Sequence, residues 1–249
     1  MVEAVMRGRR RRDSERLALA ASGYAALGWP VCPGAQPREG QPRQWQSRDR
    51  VPQQREPRSW PGRTPPRNPP QGASASRACS CDRVGCPAPG AHPLSPAWKQ
   101  QATADPVVVG KWWNEHPQAG ILLVTGRSFD VLDIPAAAGQ VAVRQLERTG
   151  TRSGPVAVSA QERILFFVAT RAADGDEDEW WSCRLDCEPE LLPEVTGLRW
   201  HCRDSYVVAP PSRLSNGMAA RWLTEPDEQP LPDALRLLEV LADACEETA

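Results

Sequence analysis

Gly120-Ile-Leu-Leu-Val-Thr-Gly126 and, after Arg127-Ser128, Phe129-Asp-Val-Leu-Asp-Ile134 are the stretches that decide the fold. Each is a short apolar run bounded by Gly or Pro, the pattern of a strand buried on both faces, and together they predict two strands of one sheet. Just upstream, Asp105-Pro106 sets a capping residue before a proline, so a helix is expected there with Val109, Trp112 and Trp113 on its inner face and Pro117 beyond its end. Downstream, a helix from about Ala136 to Arg148 stops at Gly150. Strands follow at Pro155–Ser159, Arg163–Ala169, Trp180–Arg184 and Tyr206–Ala209, with a weaker one near Met218–Leu223. A last helix begins at Pro232 and repeats Leu235, Leu238, Leu241 and Cys245 at helical spacing. At the other end Ser14 suits the cap of a helix whose Leu17, Ala21, Tyr24 and Ala25 share one face and which Gly28 terminates; Trp29 to Pro33 then reads as a short buried strand or an extended entry. Helices flanking a run of strands make the expected class α+β with a mixed sheet.

Composition divides the chain. Of its 26 prolines, eleven fall between Pro30 and Pro70, where apolar periodicity also vanishes. Residues 34–78 are therefore expected to be a disordered Pro/Arg-rich insertion, too poor in apolar surface to offset the entropy of ordering. Residues 1–13 read as a basic disordered N-terminus, 14–33 as the first helix and strand of the domain, 79–225 as its remainder and 226–249 as an acidic C-terminal helix. Net charge is −1, but residues 1–70 carry fourteen Arg against six acids, whereas 171–249 carry seven basic residues against eighteen acids. That asymmetry excludes a uniformly basic nucleic-acid surface. No run approaches the ~18 apolar residues of a membrane span, so no membrane partner is expected. Arg9 to Arg12 before an Ala-rich stretch superficially suits an export leader, but Asp13 and Glu15 interrupt it and no small-residue cleavage site precedes Trp29. Eight Cys without a secretory leader point to reduced thiols or metal ligands and to the cytoplasm.

Cys79-Ser-Cys81-x4-Cys86-x5-His92 brings three thiols and one imidazole into fourteen residues rich in turn formers. A Cys3His set of this kind suits a closed, tetrahedral structural zinc site. Cys183, Cys187, His201 and Cys202 are a weaker set, better read as small buried residues. The acidic run Asp174 to Glu179 reads as a solvated hairpin loop. GxxxxGK[ST] occurs nowhere, so any helicase partner is a separate chain.

Five pieces occur in order: Gly28-Trp-Pro-Val after a first helix, the Cys79–Pro93 loop, Trp112-Trp113 with Leu123-Val-Thr-Gly126, Phe129-Asp-Val-Leu-Asp133, and Tyr206-Val-Val-Ala-Pro-Pro-Ser212. Over about residues 14–225 the chain resembles the bifunctional DNA primase/polymerase N-terminal domain of the archaeo-eukaryotic primase superfamily. The resemblance implies a primase/polymerase-like fold and template-directed nucleotidyl transfer in DNA replication. It also implies an Asp-x-Asp pair at a strand end, a His on a later strand and a third acid before the Tyr-Val-Val segment, which together hold two Mg²⁺ or Mn²⁺ ions. Here Asp133 matches the first acid, but Pro135 stands at the second, Ile164 at the His and Arg199 at the third acid. A lone carboxylate cannot bind two divalent ions, and an arginine beside it repels them. The expectation is a catalytically degenerate member kept for binding or regulation, with DNA, nucleotides or a separate replication protein as partners. Two alternatives stand beside it. One is an active enzyme in which Asp130, Glu162, His201 or Asp204 substitutes as ligand; the other is a zinc-stabilised protein-interaction module. Asp133 equally suits a cap for the helix that starts near Ala136.

Overall fold

The computed structural model describes residues 2–37, 79–81, 86–170 and 197–249. Helix α1 (Val2–Ala26) leads into β1 (Val31–Gly34); then come α2 (Trp98–Gln101), α3 (Pro106–Glu115), β2 (Gly120–Val124), β3 (Asp130–Pro135) and α4 (Ala136–Thr149). After these follow β4 (Val156–Val158), β5 (Arg163–Val168), β6 (Arg199–His201), β7 (Tyr206–Ala209), β8 (Arg221–Thr224) and α5 (Ala234–Glu247). Helix ends obey local chemistry. The Asp105 carboxylate accepts from Val107 N at 2.8 Å to start α3, Asp233 accepts from Leu235 N and Arg236 N to start α5, and Gly150 closes α4 at φ 67°.

The strands form two antiparallel sheets, β1-β2-β7 and β6-β3-β5-β4-β8. This corrects the expected single mixed sheet: every strand pair among the described residues is antiparallel, and β2 and β3 lie in different sheets. The apolar runs at 120–124 and 130–134 are each buried on both faces, so their pattern carries no record of which sheet they join.

Alternation along β3 separates two cores. Leu132 and Ile134, with Ile164, Phe166 and Trp200, face α4 and α5, whose Ala138, Ala142, Leu146, Leu237 and Leu241 are fully or almost fully buried against them. α5 thus packs into the same core as α4 and β3. Val131, Leu165, Phe167 and Ala157 face the other way, meeting Val31, Ile121, Leu123 and Val207 of the smaller sheet and Tyr24 and Trp113 of α1 and α3. Aromatic rings fill this intersheet layer, with Trp29 stacked on Phe167 at 5.2 Å and Trp222 against Phe167 at 5.1 Å. The Tyr24 hydroxyl donates to Pro210 O at 2.7 Å and accepts from Trp222 Nε1 at 3.0 Å, tying α1 to the segment after β7 and to β8.

A second correction concerns the N-terminus. α1 begins at Val2, not at Ser14, and so takes in the arginine-rich residues expected to be disordered. Ser14 is an interior residue whose hydroxyl donates to Arg10 O at 2.9 Å. The weak strand near 218–223 is β8, displaced to Arg221–Thr224. The expected strand at 180–184, the acidic run at 174–179, Cys183, Cys187 and most of the 34–78 insertion lie outside the described residues.

Candidate functional site

Two sites emerge, one on each sheet. The first grows from β1. Beyond Gly34 the chain stays paired with the 79–94 loop: Ala35 N donates to His92 O at 2.8 Å, Ser80 N to Gln36 O at 2.9 Å and Leu94 N to Pro33 O at 2.9 Å. Ser80 Oγ accepts from Gln36 N at 2.8 Å. These bonds converge Cys79, Cys81, Cys86 and His92, whose ligand atoms all lie within 4.8 Å of one another, with Cys79 Sγ 3.2 Å from His92 Nε2. His92 Nδ1 faces Pro93 O at 2.9 Å. With Nδ1–H donated there, Nε2 is left as the metal-facing lone pair, the usual way a second contact fixes a ligand's tautomer. Three soft sulfurs and one imidazole within 4.8 Å of one another can hold a metal ion, and the donor chemistry fits zinc.

The second site surrounds Asp133, which is 5% exposed on the intersheet face of β3. Its oxygens are divided between two partners. Arg163 Nε donates to Oδ1 at 2.5 Å, and His201 Nε2 lies 3.2 Å from Oδ2. The Arg163 guanidinium also reaches Asp133 O at 3.0 Å and Gly197 O at 2.5 Å, so a single side chain binds β3 to the chain leading into β6. His201 Nδ1 is 3.0 Å from Ser205 Oγ. The loop bearing these two is held in turn by the end of β2: Thr125 N donates to Ser205 O at 3.0 Å and Thr125 Oγ1 to Cys202 O at 2.5 Å. Gly126 completes the clamp. At φ 79° its missing Cβ would lie 2.2 Å from Arg203 Cα, a place no other residue can occupy without displacing the loop.

Register corrects the expected occupants. Pro135 pairs with Arg163 and Asp133 with Leu165, so the β5 side chains on the Asp133 face are Arg163 and Leu165. Ile164 points the other way, 3% exposed, into the α4 layer, where its Cγ1 would be 2.2 Å from a Cβ on Gly139. Arg163 is therefore the residue that confronts Asp133, and the motif reading missed it because residues 164–168 are apolar on both faces and hide the alternation. Arg199 opposes Asp133 across β3 and β6, but its side chain is exposed and makes no ion pair with it. Asp133 does not cap α4 either; Pro135 holds that position without a side-chain bond. Of the suggested substitute ligands, only His201 reaches Asp133. Asp130 lies on the opposite face and accepts from Trp200 Nε1 at 3.2 Å, Asp204 pairs with Lys99 at 3.4 Å, and Glu162 is exposed at a φ of 60°. Among the described residues, the Cys/His cluster is the sole group of three or more His, Cys, Asp or Glu placed to share a metal ion. The described residues around Asp133 thus do not fit a pair of divalent cations.

The family model for the bifunctional DNA primase/polymerase N-terminal domain matches residues 21–234. The chain belongs to that family. The match begins within α1, spans both sheets and ends at the first residue of α5, so the primase/polymerase domain contains both sites. No curated protein matches the sequence closely enough to be named beside it. No helix among the described residues is long and apolar enough to cross a membrane.

Proposed function

We propose that this primase/polymerase-family chain is a catalytically degenerate member, retained to bind nucleotide or nucleic acid in a replication-related complex. The observation that carries the reading is the closure of Asp133 between Arg163 and His201. Two-metal transfer needs several carboxylates to hold ions that activate the attacking hydroxyl and neutralise the leaving pyrophosphate. A guanidinium already placed against the remaining acid neutralises it and repels an incoming cation. The chain's own residues can still contribute positive charge: Arg199 stands exposed on the Asp133 face, where a phosphate group would meet it without a metal ion.

In this reading the Cys79, Cys81, Cys86 and His92 cluster holds a structural zinc ion that folds the loop and takes no part in chemistry. The cluster also favours a second reading, in which the metal-braced loop is a docking platform for a separate helicase or other replication protein. The expected location is the cytoplasm.

The test is template-directed incorporation by the purified protein in Mg²⁺ and in Mn²⁺, with and without a primer, beside titration of a labelled nucleoside triphosphate in the absence of divalent metal. The proposal expects no incorporation and saturable nucleotide binding. Incorporation that disappears in Asp133→Asn overturns it and establishes an active polymerase with other ligands. A folded, metal-loaded protein that binds neither nucleotide nor nucleic acid leaves the docking platform as the function.

A further inference from the structure

The N-terminal half of α1 is a helix that the hydrophobic core does not require. Its packed side is used only from Leu17 onward, with Ala21, Tyr24 and Ala25 in the intersheet layer. Yet the preceding turns are anchored. Gln118, in the turn between α3 and β2, donates from Nε2 to Arg10 O at 3.1 Å and to Ser14 Oγ, which fixes the helix against α3 two turns before the core begins.

Helical geometry at about 100° per residue sorts the side chains of that segment. Arg10, Ser14, Leu17, Ala21 and Tyr24 share the packed side. On the outward side Arg9, Arg12 and Arg16 fall within about 60° of one another, at i, i+3 and i+7. All three are exposed, and none makes an ion pair among the described residues. The nearby acids do not cancel them. Glu15 is taken by Arg11, at 2.8 Å, and Asp13 borders the row half-buried without an ion pair to it. Three like charges in adjacent turns repel one another and disfavour the helix, which nonetheless forms and is pinned. A polyanion laid along the row would reverse the sign of that interaction.

We propose that the outward face of α1, carrying Arg9, Arg12 and Arg16, docks the phosphate backbone of a nucleic acid. The row spans about 10 Å of helix axis, against which duplex DNA presents about one charge per 1.7 Å. A membrane surface is the poorer match, because among the described residues that face carries one large apolar side chain, Leu19, and an interfacial helix needs an apolar face to bury. The surface lies outside the Asp133 site and stands independently of whether that site binds nucleotide.

The experiment measures affinity of the full chain for a labelled 20-base-pair duplex as salt rises from 50 to 200 mM. It compares the parent, the triple variant Arg9→Gln, Arg12→Gln, Arg16→Gln, and a charge-matched control, Arg144→Gln, Arg148→Gln, Arg236→Gln, at exposed positions of α4 and α5. The expected result is a log–log salt slope shallower by about 2 to 3 in the α1 variant, at about 0.9 per lost phosphate contact, with the control near the parent. An unchanged slope, equal loss in the control, absence of duplex binding by the parent, or binding to anionic phosphatidylserine vesicles in preference to duplex overturns the proposal. Nucleotide titration of the α1 variant separates the two readings. Loss of duplex binding with nucleotide binding intact confines the effect to α1, and an unchanged duplex slope with nucleotide binding intact sinks the α1 proposal alone.

Discussion

Asp133 is almost fully buried, and its two partners decide what a substitution there does. Arg163→Ala leaves a buried carboxylate with His201 alone, a change that costs about 3 kcal/mol when a buried pair loses one member. Asp133→Asn removes the charge along with its need for a partner, so the double variant should recover part of the loss. Denaturant unfolding of the two single variants and the double variant checks this, and additive losses would mean that the pair is not coupled. Gly139 is a second sensitive residue. Alanine there improves helix propensity by about 1 kcal/mol, but its Cβ would enter Ile164 at 2.2 Å. Overpacking costs about 1–3 kcal/mol, so Gly139→Ala is expected to lower the melting temperature despite its better propensity.

At the scale of elements, the metal loop and β1 behave as one unit, since among the described residues the loop's backbone bonds to the neighbouring chain run to Pro33, Ala35 and Gln36. Chelation at neutral pH should therefore lower the melting temperature and release exchange protection in β1 as well as in the loop, whereas Cys81→Ser should do the same without chelator. Protection unchanged on metal removal would show that the loop folds without an ion. What was legible here followed from local chemistry. The α3 cap, the bounds of β2, β3, β7 and α4, and the Cys3His spacing were all written in neighbouring residues. What was not legible depended on partners far along the chain. Arg163 and His201 reach Asp133 from 30 and 68 residues away. The N-terminal half of α1 has no apolar stripe to announce it, and its anchor, Gln118, lies 104 residues from Ser14.

Over the whole molecule, several buried groups resist ionisation together. Burial raises the Cys32 thiol from its ordinary 9.0 to about 12 and also raises Tyr24 and Tyr206, the latter with help from the charge of Cys32. Burial likewise raises Cys245 from 9.0 to about 11, with Arg163 opposing and Asp133 reinforcing the shift. All four groups are neutral when protonated. The unfolded chain releases these protons first, so stability is full below the ordinary pKa values and falls as pH climbs from about 9 toward 11. Equilibrium unfolding across that range should show the decline, and Cys32→Ala with Cys245→Ala should flatten it. A slope the double variant leaves unchanged would assign alkaline sensitivity elsewhere.

Pro37 and Cys79 form a β-bridge, so the chain that departs after β1 returns to its point of departure. Closing a loop whose ends already touch depends only weakly on its length, about 0.6 kcal/mol for each doubling. The domain thereby possesses a port. Residues 38–78 can be exchanged for a short linker, or for a fluorescent protein whose termini lie close together, and the Cys/His loop and both sheets should melt as before. The same geometry lets a lineage lengthen, shorten or rewrite that passage without renegotiating the fold around it.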